Sequence, residues 1–141
     1  MAEESHTRQL VVFVLAGEQY ALPITEIQEI VRYTQPRSIA SAEAWVRGVL
    51  DLRGKIVPVY DLASRLSLAS DLTEQSKIVI VDTGEQTIGV IVDAVEEVLT
   101  VDEVQIDEAP TADNTLINSI AKIDGRLVVV LNPPEPSMAF S

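Results

Sequence analysis

One stretch of this chain is written twice, and that constrains the fold more than any other feature. Ala21–Val31 (ALPITEIQEIV) aligns without a gap on Gly89–Leu99 (GVIVDAVEEVL), matching Ile24 with Val92, Ile27 with Val95, Glu29 with Glu97 and Ile30 with Val98. Gly54–Val59 (GKIVPV) matches Gly125–Val130 (GRLVVV), and Gly17-Glu18-Gln19 recurs as Gly84-Glu85-Gln86. Two copies of so long a unit are too few to stack as a solenoid. They fit a duplicated five-stranded unit, because short twisted antiparallel strands curl into small barrels filled by their own side chains. Two such barrels packed as pseudo-twins bury one face of each, and the groove between them suits a partner's helix.

The local pattern supports strands throughout. Apolar residues make up 47% of the 141-residue chain and aromatics only 4%, so the core is built from Val, Ile and Leu. Those β-branched types favour pleated surfaces. The stretch Gly48–Leu62 (GVLDLRGKIVPVYDL) reads as two apolar runs around Arg53-Gly54, a two-residue hairpin loop in which Gly54 tolerates φ > 0. Asp124-Gly125 is a second such turn, between Thr115–Ile123 and Arg126–Leu131.

Further strands are predicted at Gln9–Leu15, Gln19–Ile24, Gln28–Tyr33, Lys77–Val81, Ile88–Val92 and Val95–Leu99, the last after a short helical turn. A helical turn is expected at Thr25–Ile27. Brief helices are expected at Ser41–Arg47, capped by Ser41, and at Asp61–Leu68, capped by Asp61. Asp102–Asn114 reads as an acidic loop. The domain limits read from this pattern are a disordered tail over 1–8, a first barrel over 9–75, a second over 76–132 and a C-terminal tail over 133–141, all within one domain.

The duplication also isolates what it does not explain. Asp124 stands where the first half has Arg53, and Val129 stands where it has Pro58. Trp45 falls in a segment without a clear copy. Such positions are candidates for function, since the other half folds without them. Trp45 has two readings, core cover or interface anchor. Arg53 has two as well, a structural ion pair or a partner contact.

Charge and composition exclude several function classes. The net charge of −12 opposes binding to nucleic acid and to anionic membranes, whose phosphates need a cationic face. There is no Cys, and His6 is the single His, so thiolate metal sites, disulfides and Ser/His/Asp catalysis have no material to work with. The acidic run DEVQIDEAPTAD lacks the central Gly and the spacing of a Ca²⁺ loop, and no Gly-rich nucleotide motif occurs. No apolar run approaches the ~20 residues that span a bilayer. A cytoplasmic protein without cofactor, metal or enzymatic activity is expected.

Three motifs together carry a resemblance to a known family. GVLDLRGKIVPVYDL is similar to the G-V-x-N-L-R-G-x-I-x-P-V-x-D-L motif of the CheW-like chemotaxis coupling proteins. IGVIVDAVEEVL (Ile88–Leu99) resembles the family's VGxxVDxVxxVL, and GEQYALPITEIQEIV fits its N-terminal pattern. The resemblance covers 9–132.

It implies a mainly β fold of two intertwined five-stranded SH3-like β-barrels related by a pseudo-twofold, with short helices. It implies a non-catalytic adaptor at membrane-associated receptor arrays. Its partners would be the regulatory domain of the histidine kinase CheA, which shares the double-barrel fold, and the cytoplasmic helical tip of a chemoreceptor. Carried onto matching positions, the family's receptor-binding residues are Ile27, Glu29, Gly48, Arg53, Gly89, Val95 and Val98. Kinase-contact residues do not transfer individually. The chain departs from the family where Asp51 replaces the usual Asn, where Ala63 replaces a common basic residue, and where NPPEPSMAF replaces a C-terminal helix. The same module also serves as a docking domain in pathways controlling surface motility, gene expression or second-messenger output.

Overall fold

A computed structural model of the chain describes residues 7–40, 45–102, 105–108 and 117–132. The first half contributes β1 (Thr7–Leu15), β2 (Glu18–Pro23), a 3-10 turn at Ile24–Glu26, β3 (Ile27–Arg32), β4 (Val46–Leu52), β5 (Lys55–Asp61) and α1 (Leu62–Arg65). The second contributes β6 (Lys77–Asp82), β7 (Thr87–Val92), β8 (Ala94–Asp102), β9 (Ile106–Glu108), β10 (Ile117–Ile123) and β11 (Arg126–Leu131). The strands form two sheets, in the orders β8-β1-β2-β11-β10-β9 and β3-β6-β7-β5-β4.

Apart from β9, which extends one edge, those two orders are the same order. The repeat matches β1 to β6, β2 to β7, β3 to β8, β4 to β10 and β5 to β11, and each sheet is then third-first-second-fifth-fourth. The first hairpin of each half lies in the sheet formed by strands three, four and five of the other half. The parallel pairings that join the halves agree residue by residue: Ala21 sits beside Val130 in one sheet and Gly89 beside Val59 in the other. Both third strands also carry their irregularity at the same place, Ile27/Glu29 in β3 and Val95/Glu97 in β8.

The sheets are therefore not contiguous in sequence. Limits at 75 and 76 do not coincide with a sheet boundary, because β6 and β7 pair with β3 and β5, and β1 and β2 pair with β8 and β11. Hydrophobic pattern specifies a strand's inward face but not which of two similar edges it joins.

Each sheet closes around its own apolar cluster. One cluster holds Leu10, Val12, Ala21, Ala121, Ile123 and Val130. The other holds Ile78, Ile80 and Val59, with Leu50 and Leu52 packed against it. These are largely the same positions in the two repeats, and each cluster joins both edges of its sheet. A third and larger cluster lies between the sheets and takes Phe13, Leu22, Tyr60, Val79, Val90 and Leu131 from both. Fully burying a Leu, Ile or Phe side chain contributes about 1.5–3 kcal/mol, so this shared cluster binds the two barrels into one cooperative unit.

Local chemistry explains the turns. Arg53-Gly54 and Asp124-Gly125 both have φ > 0 at both residues, the type I′ pattern, as does Ala16-Gly17. The carboxylate Oδ1 of Asp51 accepts the Gly54 N–H at 2.7 Å and fastens the first of these, a role the Oδ1 of Asn also fills. The GEQ triplets are one residue out of structural register. Val14–Gln19 and Asp82–Thr87 are the matching pairs, which sets Gly84 opposite Ala16. Only Gly84 has φ > 0 in its turn, the type II′ pattern, and there the glycine comes first.

Several expectations are corrected. Thr7 and Arg8 belong to β1, where they pair with Asp102 and Val101, and not to a tail. Val46 and Arg47 are strand and not helix, while 41–44 lie outside the described residues. No helical turn precedes β8, only a bend at Asp93. The acidic segment contains β9, held against β10 by main-chain pairing and by Lys122 Nζ on Asp107 at 2.9 Å. The helix at 61–68 shortens to α1, and Asp61 caps it by accepting the Ser64 N–H at 3.2 Å. The readings of 1–6 and of 133–141 fall outside the described residues.

Candidate functional site

The irregularity in β3 decides which way its side chains face. Ile27 pairs with Val81 and Ile30 with Val79, and both partners belong to the cluster between the sheets. Directly paired residues share a face, so Ile27 and Ile30 lie on the face turned toward that cluster. Ile27 packs against it, while Ile30 stays 38% exposed. In β8 the same geometry recurs. Val95 pairs with Phe13 and packs on the cluster, and Val98 pairs with Val11 and stays 51% exposed. The fold thus carries two matching apolar margins on its inter-sheet core, each with one anchored and one exposed side chain.

Glu29 falls on the other face of β3. It pairs with Ile80 and sits at the barrel rim, where its carboxylate meets the Arg53 guanidinium at the β4–β5 tip. That ion pair links one edge strand of the sheet to the hairpin at the opposite edge. The hydrogen bond to Glu29, and then its charge, hold the Arg53 guanidinium still more firmly protonated than usual. Arg53 keeps 70% of its side chain exposed, so the outer side of the fork stays open to a further acceptor. Asp51, an alternative partner in sequence, is engaged with the turn instead.

The second half solves the same closure with a cation two places along. Glu97 is tied to Arg126 at 3.3 Å, and Arg126 matches Lys55 in the repeat. Lys55 donates instead to Thr87 Oγ1 at 3.0 Å.

The two glycines among the candidates have packing reasons of their own. Gly48 has φ +141, and a Cβ there would stand 2.0 Å from the Arg37 carbonyl oxygen. That approach exists because Arg37 and Val49 exchange both main-chain hydrogen bonds, at 2.8 and 2.9 Å. Gly89 is in the barrel interior, where a Cβ would come 2.8 Å from Ile78 Cγ2. So of the seven candidate residues, Glu29 and Arg53 meet, Ile27 and Val95 anchor the margins, Val98 is exposed, and Gly48 and Gly89 serve the packing of their barrel.

Trp45 packs edge-on against Tyr60 with ring centroids 4.7 Å apart, and the Arg65 guanidinium lies 5.4 Å from its ring centroid. This is the core-cover arrangement. Sequence reasoning did not single out Ile30 as a site residue, although its match to Val98 marks it. It also passed over Ile56 and Leu127, which occupy matching positions and are 62% and 64% exposed. Among the described residues no three His, Cys, Asp or Glu side chains are grouped to hold a metal ion, and no helix is long and apolar enough to cross a membrane.

Comparison with known proteins places this geometry. The CheW-like domain family matches residues 9–136. The chain is 32% identical over 81 residues to the chemotaxis protein CheW of Bacillus subtilis, covering 57% of this chain and 52% of that one. It is 33% identical over 81 residues to CheW of Klebsiella aerogenes (57% and 49%), and 32% identical over 74 residues to protein PilI of Pseudomonas aeruginosa (50% and 40%). The matched stretch spans about half the length of these curated relatives. The crystal structure of the scaffolding protein TtCheW from Thermoanaerobacter tengcongensis superposes with a TM-score of 0.83 at 36% identity, covering 88% of both chains. With the family match running from β1 past β11 and the fold shared with a solved relative, this chain belongs to the CheW-like domain family.

Proposed function

We propose that this protein is a non-catalytic adaptor that couples the cytoplasmic helical tip of a chemoreceptor to the histidine kinase CheA in cytoplasmic, membrane-associated arrays. The observation that carries the reading is the pair of apolar margins, Ile27/Ile30 and Val95/Val98, with the Glu29–Arg53 pair beside the first. An amphipathic helix binds through apolar anchors spaced along one face, and a groove with an apolar floor and few charges suits it. Ile27 and Val95 hold the floor in place, Ile30 and Val98 offer the contact, and the open side of Arg53 donates to a carboxylate or a helix-end carbonyl. Gly48 and Gly89 support the site through backbone packing. The kinase regulatory domain docks elsewhere, barrel to barrel, and two weak interfaces in one array give avidity. Receptor state then biases kinase activity through the shared adaptor.

The test is binding of a purified receptor signalling fragment. Val98→Ser and Arg53→Ala each weaken it at least about tenfold, corresponding to the ~1.4 kcal/mol that one decade in affinity represents, while amide spectra stay native. Wild-type affinity in both well-folded variants removes the groove from this role.

The match to PilI favours a second reading, in which the same surfaces serve a kinase of a non-flagellar pathway. The identity of the kinase that co-purifies with the adaptor separates the two.

A further inference from the structure

Apart from Arg53, a cleft opens on the sheet of β8, β1, β2, β11 and β10, below the 3-10 turn and next to the margins. Its walls come from Thr7 and Gln9 of β1, Thr25 and Glu26 of the turn, Thr100 of β8 and Asn118 of β10. Its volume is about 730 Å³, ample for a long side chain. The walls are rich in hydroxyl and amide oxygens. Arg8 and Asn132, which also line it, have partners of their own.

One group in this cleft is left incomplete. Glu26 Oε1 is shielded from water and accepts no hydrogen bond. A desolvated carboxylate oxygen without a donor is costly, and a proton or a neighbouring cation relieves it. Burial accordingly pushes the Glu26 carboxyl above its usual range. The duplication gives no structural reason for an acid here, since the matching residue in the second half is Ala94. Glu26 itself lines the cleft, so a cation lodged there would offset the charge of its partly desolvated carboxylate.

We propose that this cleft receives a lysine or arginine side chain from a basic segment of a protein partner, with Glu26 as its counter-ion. A protein of net charge −12 steers such a segment toward itself, and the walls add acceptors for the remaining ammonium or guanidinium protons. The cleft adjoins the margins, but Glu26 is none of the residues assigned to the receptor, so substituting it tests this proposal independently of the adaptor reading.

The probes are a short blocked peptide, acetyl-Gly-Lys-Gly-amide, its Nε-acetyl-lysine counterpart, and butylamine, each titrated into the full chain and followed by amide chemical shifts. The lysine peptide is expected to shift Thr25, Thr100 and Asn118, to lose at least tenfold in affinity with Glu26→Gln, and to bind better than either control. Glu26→Gln keeps the shape of the side chain, and a dispersed amide spectrum confirms its fold. Shifts elsewhere, equal binding by Glu26→Gln, equal binding by the neutral peptide, or equal binding by butylamine each overturn the proposal.

Discussion

The two barrels run the same strand order through the same registers, yet they fill two key positions differently. Where the barrel of β3 to β7 has Gly48, the other has Ser119, and where it has Gly89, the other has Ala21. The reasons are local. Beside Gly48 the chain at Arg37 presses in as a single bridge, whereas Ser119 is flanked by β9, paired in regular antiparallel fashion. Beside Gly89 stands the branched Ile78, whereas Ala21 has Leu10 in the matching place. Duplication thus preserved topology while each barrel settled its own contacts. A glycine that looks like part of a binding motif is here also a solution to crowding.

That comparison breaks most visibly at Gly48. Gly48→Ala sets a Cβ against a backbone oxygen at a φ that L residues rarely adopt, and the loss of stability is on the order of 4 kcal/mol. Ser119→Ala, at the matching place, stays within about 1 kcal/mol of wild type, because the buried Ser119 Oγ has no hydrogen-bond partner to lose. Chemical denaturation of the two variants, followed by Trp45 fluorescence, gives the contrast directly.

A sharper form of the same test exchanges the solutions. Gly89→Ala costs about 1–3 kcal/mol by overpacking against Ile78 Cγ2. Adding Ile78→Leu recreates the Leu10–Ala21 pair of the other barrel and recovers most of that loss. Double-mutant denaturation curves measure the coupling. Additive losses would show that the barrels do not share a packing rule.

The smallest effect concerns the acid present in one half and absent from the other. The carboxyl of Glu26 is raised above its usual 4.5 by burial. A raised folded pKa means the folded state binds the proton more tightly. Its stabilisation is complete below 4.5 and fades as pH rises through the folded value. Glu26→Gln is therefore the more stable protein at pH 7, and the difference disappears by pH 4. Denaturation midpoints of both proteins at the two pH values check the sign.

How far the sequence spoke depended on range. Local signals were legible. The hairpins at Arg53-Gly54 and Asp124-Gly125 and the Asp61 cap declare themselves within a few residues, and the repeat shows when the chain is aligned on itself. The 3-10 turn appears within one residue of its expected place. What the sequence hid was long-range. The exchange of hairpins between halves depends on which of two similar edges a strand finds, and only the family resemblance, not the residue pattern, implied intertwined barrels. The Glu29–Arg53 pair depends on barrel closure across 24 residues. The three-residue β9 lacks the alternation that marks longer strands, and only its pairing with β10 defines it. Glu26 gave no signal at all, since one acid in a turn is unremarkable until its oxygen is seen without a donor.

Interlocking underlies everything above, because it places the margins on one shared core. Proton–proton contacts between backbone amides in an isotope-edited NOE spectrum test it at two points. Interlocked halves give cross-strand contacts from Ala21 to Val130 and from Gly89 to Val59. Contacts from Ala21 to Val59 and from Gly89 to Val130 would mean that each half closes its own barrel, and would contradict the account.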